Sequence, residues 1–135
     1  GGTGLTSIAT LLNSNVLSTA QTFTAGQRGE VTALTDASTV AVDFDDSNNF
    51  SLLTTSGVGS TRKLGNPSNL TAGQSGAITL TQDGSGSRLL TYDTKWMFVG
   101  GTAPDLTTTA DAVDVLVYYA ESATRITAKV LLDVK

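Results

Sequence analysis

The chain has 135 residues and a formal net charge of −4, and it contains neither histidine nor cysteine. Without those two residue types, a disulfide framework, a thiolate metal site and a nucleophile activated by histidine are all excluded. The eight lysines and arginines are scattered, so no basic patch for nucleic acid is visible. The longest apolar run, residues 115–120, is too short to span a bilayer. We expect one domain, no nucleic-acid partner and no membrane insertion.

The composition favours a β protein. Threonine supplies 23 residues and glycine 14, while charged residues make up only 15% of the chain. Threonine suits a half-buried pleated surface, and glycine marks turns. This balance is typical of an extracellular or virion protein. The sequence begins without methionine or a basic leader, so we expect a fragment or a processed product.

Residues 1–22 differ from the rest of the chain. A Gly-rich opening, "GGTG", precedes apolar residues at helix-like intervals: Leu5, Ile8, Leu11 and Val16. Such a short amphipathic stretch is marginal alone and needs a surface to pack on. We interpret residues 1–22 as an N-terminal linker or oligomerisation segment, extended or helical.

A repeated phrase follows that segment. "FTAGQRGEVTALTD" (23–36) and "LTAGQSGAITLTQD" (70–83) share seven identical positions at an offset of 47 residues. Apolar residues alternate after each phrase, which predicts two similar β-hairpin units, 23–50 and 70–98. The extended alignment matches Phe44 with Tyr92. Gly26 and Gly73 then supply equivalent permissive corners, and Gly84 lies in the turn "DGSGS".

The strongest strand signals lie at the end of the chain. Residues 113–119 alternate across one strand and residues 126–134 across another, joined by "AESA". With eight or nine short strands in all, the sequence predicts an all-β domain over residues 23–135. We expect an antiparallel β-sandwich or a jelly-roll-like fold.

Catalytic and metal-binding chemistry finds little support. The candidate carboxylate pairs for glycoside hydrolysis are Asp43 with Asp45, and Asp93 with Asp105 or Asp111. Solvated acids on strands and turns explain these residues better, so we expect no catalytic residue and no enzyme. The stretch 43–49 resembles a calcium loop but fails the EF-hand pattern, because its sixth and twelfth places are Asn48 and Thr54. A looser cation site near Asp43 and Asp45 stays open. We expect no cofactor.

Four phrases, in order, carry a family resemblance: "NPSNLTAGQSG" (66–76), "TQDGSGSR" (81–88), "WMFVGGTAP" (96–104) and "ADAVDVLVYY" (110–119). Together they resemble the C-terminal module of bacteriophage tail fibres and related virion appendages, and the likeness spans about residues 20–135. The resemblance implies a trimeric β-rich head at the distal end of an appendage, where it touches the host surface.

Apolar residues on both faces of several strands fit such an assembly. Leu116 and Tyr118 lie opposite the face of Val113, Val115 and Val117, although an exposed sheet has one solvated face. A second apolar face predicts burial against another subunit. The apolar faces do not choose three subunits over two. The resemblance implies a homotrimer within a virion, with other virion proteins and a host cell-surface glycan or protein as partners. The alternative is a capsid decoration or head-fibre protein that grips the shell.

The contact residues are sought among aromatic side chains and loops. Aromatic rings stack on sugars, and loops on a rigid scaffold usually carry binding. The loops are 56–62, 84–87 and 101–109. The candidate receptor or partner contacts are Trp96, Tyr118, Arg62, Lys63, Ser85 and Thr107.

Overall fold

The computed structural model describes residues 20–135, so the predicted segment 1–22 lies almost entirely outside the described residues. Two single 3₁₀ turns, Ser56–Val58 and Val99–Gly101, interrupt an otherwise β-rich chain. The strands of the described part are β1 (Val31–Ala33), β2 (Thr39–Val40), β3 (Asn49–Leu53), β4 (Thr61–Leu64), β5 (Ser75–Thr81), β6 (Leu89–Tyr92), β7 (Trp96–Met97), β8 (Val113–Ser122) and β9 (Arg125–Leu131).

The chain winds as a β-solenoid whose successive coils stack in parallel. β1, β3 and β5 are neighbours in a six-stranded sheet, and β2, β4 and β6 form a three-stranded sheet, all paired in parallel. In both sheets the same residue spacing separates the second coil from the third. Asn49 pairs with Ala77 and Thr61 with Leu89, each 28 residues along the chain.

A third face completes each coil. Asp43 of the first coil bridges Ser68 of the second in parallel fashion. Below them, the Asn66 side chain donates to Thr94 Oγ1 at 3.1 Å and accepts from the Lys95 backbone N–H at 2.8 Å. These bonds hold the chain of the third coil directly under that of the second.

A hairpin closes the end of the solenoid. β8 pairs antiparallel with β5 and with β9, and β9 in turn pairs in parallel with β7. The predicted pair of terminal strands is thus confirmed, although β9 ends at Leu131 rather than running to residue 134. The hairpin covers the β5 edge, which would otherwise expose unpaired backbone groups.

The core lies between the faces of the coils. Inward positions of the second and third coils stack apolar side chains, as Phe50 over Ile78 and Leu52 over Leu80 illustrate. Burial of each such side chain stabilises the fold by roughly 1.5–3 kcal/mol. Towards the closing hairpin, the Phe44 ring stacks on Tyr118 at 4.9 Å between centroids, and Trp96 meets both rings edge-on.

The all-β prediction is confirmed, but the sandwich and its hairpin units are wrong. The strands that flank each predicted turn lie in different sheets, because the chain continues round the coil instead of reversing. The units 23–50 and 70–98 are therefore not hairpins. The repeated phrases lead into β1 and β5, with β3 between them, and Val31 stands in register with Ala77 through Asn49. Tyr92 is in register with Leu64, and Leu64 with Val40. Tyr92 is therefore not the structural equivalent of Phe44, as the extended alignment had matched them.

The two glycine corners are not equivalent either. Gly73 has a φ of 95°, the left-handed backbone that was expected. Gly26 has no positive φ, and an added Cβ there would meet nothing within 4 Å. In the turn "DGSGS" it is Gly86, with a φ of 65°, rather than Gly84 that adopts the left-handed conformation. Sequence identity in the repeat thus did not carry over to backbone conformation.

Candidate docking surface

Three of the predicted contact residues are buried. Trp96 lies in the core, where its indole Nε1 donates to the Gly65 carbonyl at 2.9 Å. The Tyr118 hydroxyl donates to the Asn48 carbonyl at 2.7 Å, and burial raises the pKa of Tyr118 to about 12, so the phenol stays protonated at neutral pH. Arg62 points into the solenoid, where its Nε donates a hydrogen bond to Asp36 Oδ1 at 2.6 Å. The structure corrects these three assignments, since the folded surface does not present their side chains.

The other three candidates lie nearer to solvent but are dispersed. Lys63 is exposed on the three-stranded sheet, and Ser85 is exposed in a turn where Asp83 Oδ1 accepts its backbone N–H at 3.1 Å. Thr107 is half-buried, and its N–H donates to buried Asp114 at 2.7 Å. Two of the predicted loops do meet, because the Ser87 N–H donates to the Thr108 carbonyl at 2.7 Å.

Several acidic residues are engaged in structural hydrogen bonds. A bond from Asn69 lowers the pKa of Asp43, one from Arg88 lowers that of Asp83, and one from Thr127 lowers that of Glu121. A general acid at neutral pH needs a shift in the opposite direction. Within residues 20–135, no group of three or more carboxylates is placed to hold a metal ion.

The feature that invites a partner is the outward side of β5, β8 and β9, which we name the outer face. Along β8, the residues of the outer face alternate with the buried residues Asp114, Leu116, Tyr118 and Ala120, as expected of a strand with one buried side. Its side chains are Ala77, Thr79, Thr81, Val113, Val115, Val117, Tyr119, Glu121, Arg125, Thr127, Lys129 and Leu131.

Three apolar members of the outer face are open to solvent, and Val115 among the others is half-buried. Tyr119 is 51% exposed, Leu131 45% and Val117 38%. Val115 pairs with Leu131 across β8 and β9, and Val117 pairs with Ala77 on the other side, so these side chains are contiguous. A contiguous apolar patch on a folded surface usually marks an interaction site.

The 3₁₀ turn after β7 extends this surface. Gly100 and Gly101 have φ values of 71° and 73°, and this sharp turn leaves Val99 83% exposed. A groove of about 410 Å³ lies between Val99, Val117, Tyr119 and Lys129. A smaller groove of about 200 Å³ is lined by Phe98, Pro104 and again Lys129. Lys129 therefore lines both apolar grooves.

The sequence anticipated this surface only in part. The alternation along 113–119 indicated two apolar faces, and the structure assigns Leu116 and Tyr118 to the core and Val115, Val117 and Tyr119 to the outside. Val99 and Lys129 were missed. The adjacent glycines at 100 and 101 were the available signal for Val99, whereas Lys129 carries no local signal that it lines two grooves.

Fold and surface together define a β-solenoid with an exposed apolar sheet face. No protein-family model matches the chain, and neither a curated protein nor a solved structure is significantly similar to it. In the described part of the chain, no helix has the length and apolar character needed to cross a membrane.

Proposed function

We propose that this chain is the terminal module of a bacteriophage tail fibre or a related virion appendage. Three copies assemble through their outer faces, and the loops left free meet the host surface. The observation that carries the proposal is the exposed apolar patch of Val117, Tyr119 and Leu131 on a rigid sheet. The ordered phrases between residues 66 and 119 support the same assignment through their resemblance to appendage modules.

The fold suits such a task physically. Parallel coils tie residues of successive turns together by backbone hydrogen bonds, so the solenoid is a stiff support for its loops. The loops 84–87 and 101–109 are held together, because the Ser87 N–H donates to the Thr108 carbonyl at 2.7 Å. Weak loop contacts that are repeated around an axis gain strength through effective concentration.

The first experiment measures the solution mass of the full chain by light scattering over a concentration series. A trimer that persists on dilution supports the proposal. A second measurement locates the protein on the particle by electron microscopy with a labelled antibody. Label at the distal end of an appendage supports the proposal, whereas label spread over the capsid shell replaces it with the decoration or head-fibre role.

Adhesion is tested separately from assembly. The soluble module, added in excess, is expected to block adsorption of the phage to host cells. A matched control carries substitutions in the loops, Ser85→Glu and Thr108→Glu, which leave the outer face intact. If both proteins fail to block adsorption while the wild type is a trimer, the module assembles but does not touch the host.

A further inference from the structure

The first coil leaves one end of the solenoid open. β1 is the end strand of the six-stranded sheet and β2 that of the three-stranded sheet, so within residues 20–135 no strand pairs with their outer edges. The third coil differs, because the β8–β9 hairpin is paired to its strand β5. Unpaired strand edges attract other chains unless they are covered, and the terminal unit of a repeat architecture needs a cap.

The core is open at the same end. Thr32 is in register with Phe50, and Phe50 with Ile78. Phe50 and Ile78 are buried, whereas Thr32 and the following inward residue, Leu34, are only half-buried. Thr32 and Leu34 line a groove of about 540 Å³. The apolar residues that line this groove, the first-coil groove, are Ala33, Leu34, Ala37, Ala41 and Val42.

The residues upstream of the first coil have the composition that this groove requires. Residues 1–19 contain no charged side chain, and six of them are leucine, isoleucine or valine. Four of the six recur at intervals of three and four residues and therefore share one side of a helical pattern: Leu5, Ile8, Leu12 and Val16. A short amphipathic segment is marginal alone and needs an apolar surface to pack on.

The connection to β1 brings that segment within reach of the groove. Residues 20–30 are exposed throughout and lead directly into β1, which itself lines the groove. Fully extended, these eleven residues span at most about 36–40 Å. The tether gives the segment an effective concentration on the order of millimolar at its own groove. An uncharged segment also meets no repulsion from Asp43 and Asp46, which line the groove as well.

We propose that residues 5–16 occupy the first-coil groove of their own chain and cap the open end of the solenoid. The apolar side of the segment covers Leu34 and Val42, and its backbone shields the outer edge of β1. Burial of the apolar residues on both sides supplies the stabilisation, and the tether lowers the entropy cost of docking. The inference is independent of the proposed function, because it needs no second copy of the chain and no host partner.

The test measures how accessible the groove is in the full chain. The protein has no cysteine, so one introduced thiol is an unambiguous reporter for a maleimide probe. Thr32→Cys, a nearly isosteric change, places the reporter in the groove. Thr61→Cys places it on an exposed position of β4 that does not line the groove. We expect Thr32→Cys to react at least about tenfold more slowly than Thr61→Cys, since a docked segment excludes the probe.

Changes in the segment show whether it is the occupant. Ile8→Asp with Leu12→Asp is expected to accelerate labelling of Thr32→Cys at least about tenfold, because an ionised carboxylate is excluded from an apolar groove. Thr10→Asp with Ser14→Asp adds the same charges on the opposite side of the helical pattern and should change the rate less than about twofold. Circular dichroism verifies folding. If the first variant is unfolded, Leu12→Asn with Ser14→Asn as its control replaces the pair.

The outcomes separate the possible occupants. Equal labelling rates in all three backgrounds, or equal acceleration by both pairs of substitutions, overturn the cap. Protection of Thr32→Cys that is lost on dilution shows that another copy fills the groove, and it overturns docking within one chain. Acceleration by the first pair alone, at a rate independent of protein concentration, supports the cap. Light scattering on the same samples reports the assembly separately, so a trimer with an open groove overturns the cap and leaves the proposed function standing.

Discussion

Arg62 and Asp36 form a buried ion pair that fastens the second coil of the solenoid to the first. Arg62 Nε lies 2.6 Å from Asp36 Oδ1, and Nη2 lies 2.9 Å from Oδ2. The Thr55 N–H and hydroxyl also donate to Asp36 Oδ2, at 2.7 and 2.9 Å, while Arg62 Nη2 donates to the Thr55 carbonyl. The pair therefore fixes the corner between the two sheets on both coils.

Removing the carboxylate charge should destabilise the fold strongly. Asp36→Asn leaves the Arg62 guanidinium buried without its counter-ion, and we expect a loss of about 3–5 kcal/mol in the free energy of unfolding. Urea denaturation followed by tryptophan fluorescence measures it. Replacement of both partners, Asp36→Leu with Arg62→Met, should recover much of the loss because no buried charge remains. Arg125→Ala, which breaks a solvent-exposed pair, is the control and should unfold close to wild type. If Asp36→Asn leaves the free energy of unfolding almost unchanged, the Arg62 guanidinium must be hydrated in the variant, which would contradict the prediction.

The same pair predicts how stability changes in acid. Burial raises the pKa of Asp36, but the hydrogen bonds from Arg62 and Thr55 outweigh it, so the pKa lies below its ordinary value of 3.8. A carboxyl with a lowered folded pKa contributes stability that is complete above the unfolded pKa and lost as the pH falls through the folded value. We expect the free energy of unfolding to fall below about pH 4, and the slope to be shallower in Asp36→Asn. Urea titrations between neutral pH and strong acid give both slopes. Equal slopes would assign the acid sensitivity to other carboxyls, such as Asp83.

The part of the fold that the sequence could predict is the part with local signals. The terminal strands alternate strictly and are joined by a short turn, so β8 and β9 follow from their own residues. The second and third coils of the solenoid pair residues that lie 28 positions apart. The signal of this pairing is a match of inward apolar positions, Phe50 with Ile78, rather than of identical residues. The conspicuous identity at an offset of 47 residues therefore led to the wrong pairing. A two-residue alternation looks the same in a hairpin and in a solenoid.

The site was harder to predict for a similar reason. Trp96, Tyr118 and Arg62 were selected by side-chain chemistry, which does not tell which way a side chain faces. The alternation that buries Leu116 also buries Tyr118, and this could have been recognised. Arg62 is buried because it pairs with Asp36, a carboxylate 26 residues upstream. The residues next to Arg62 in the sequence do not indicate that partner.

The repeated phrase supplies a matched pair of glycine substitutions. Gly73 has a φ of 95°, a conformation that a β-branched residue adopts only under strain, whereas Gly26 has open space and no positive φ. We expect Gly73→Val to cost about 1–3 kcal/mol and Gly26→Val to be near neutral. Thermal and urea unfolding of the two variants side by side measures the difference. Equal costs at both positions would contradict the asymmetry of the two corners.

Position 76 requires glycine for a different reason: there is no room for a side chain between its backbone and Asn48. It pairs with Tyr118 across β5 and β8, and a Cβ added there would run into the Asn48 carbonyl and approach the Tyr118 hydroxyl to 3.0 Å. Those two groups are hydrogen-bonded to each other at 2.7 Å. Gly76→Ala therefore forces backbone movement and disrupts that bond, and we expect a loss of about 2–4 kcal/mol in the free energy of unfolding.

Two comparisons make the Gly76 prediction specific. Gly57→Ala, where a Cβ meets nothing within 4 Å, should be near neutral. Tyr118→Phe removes only the hydroxyl and should cost about 1 kcal/mol. Because Gly76→Ala already weakens the bond to the Asn48 carbonyl, the double variant with Tyr118→Phe should lose less than the two single losses combined. Full additivity in urea denaturation would mean that the methyl group is accommodated without moving the carbonyl that Tyr118 holds.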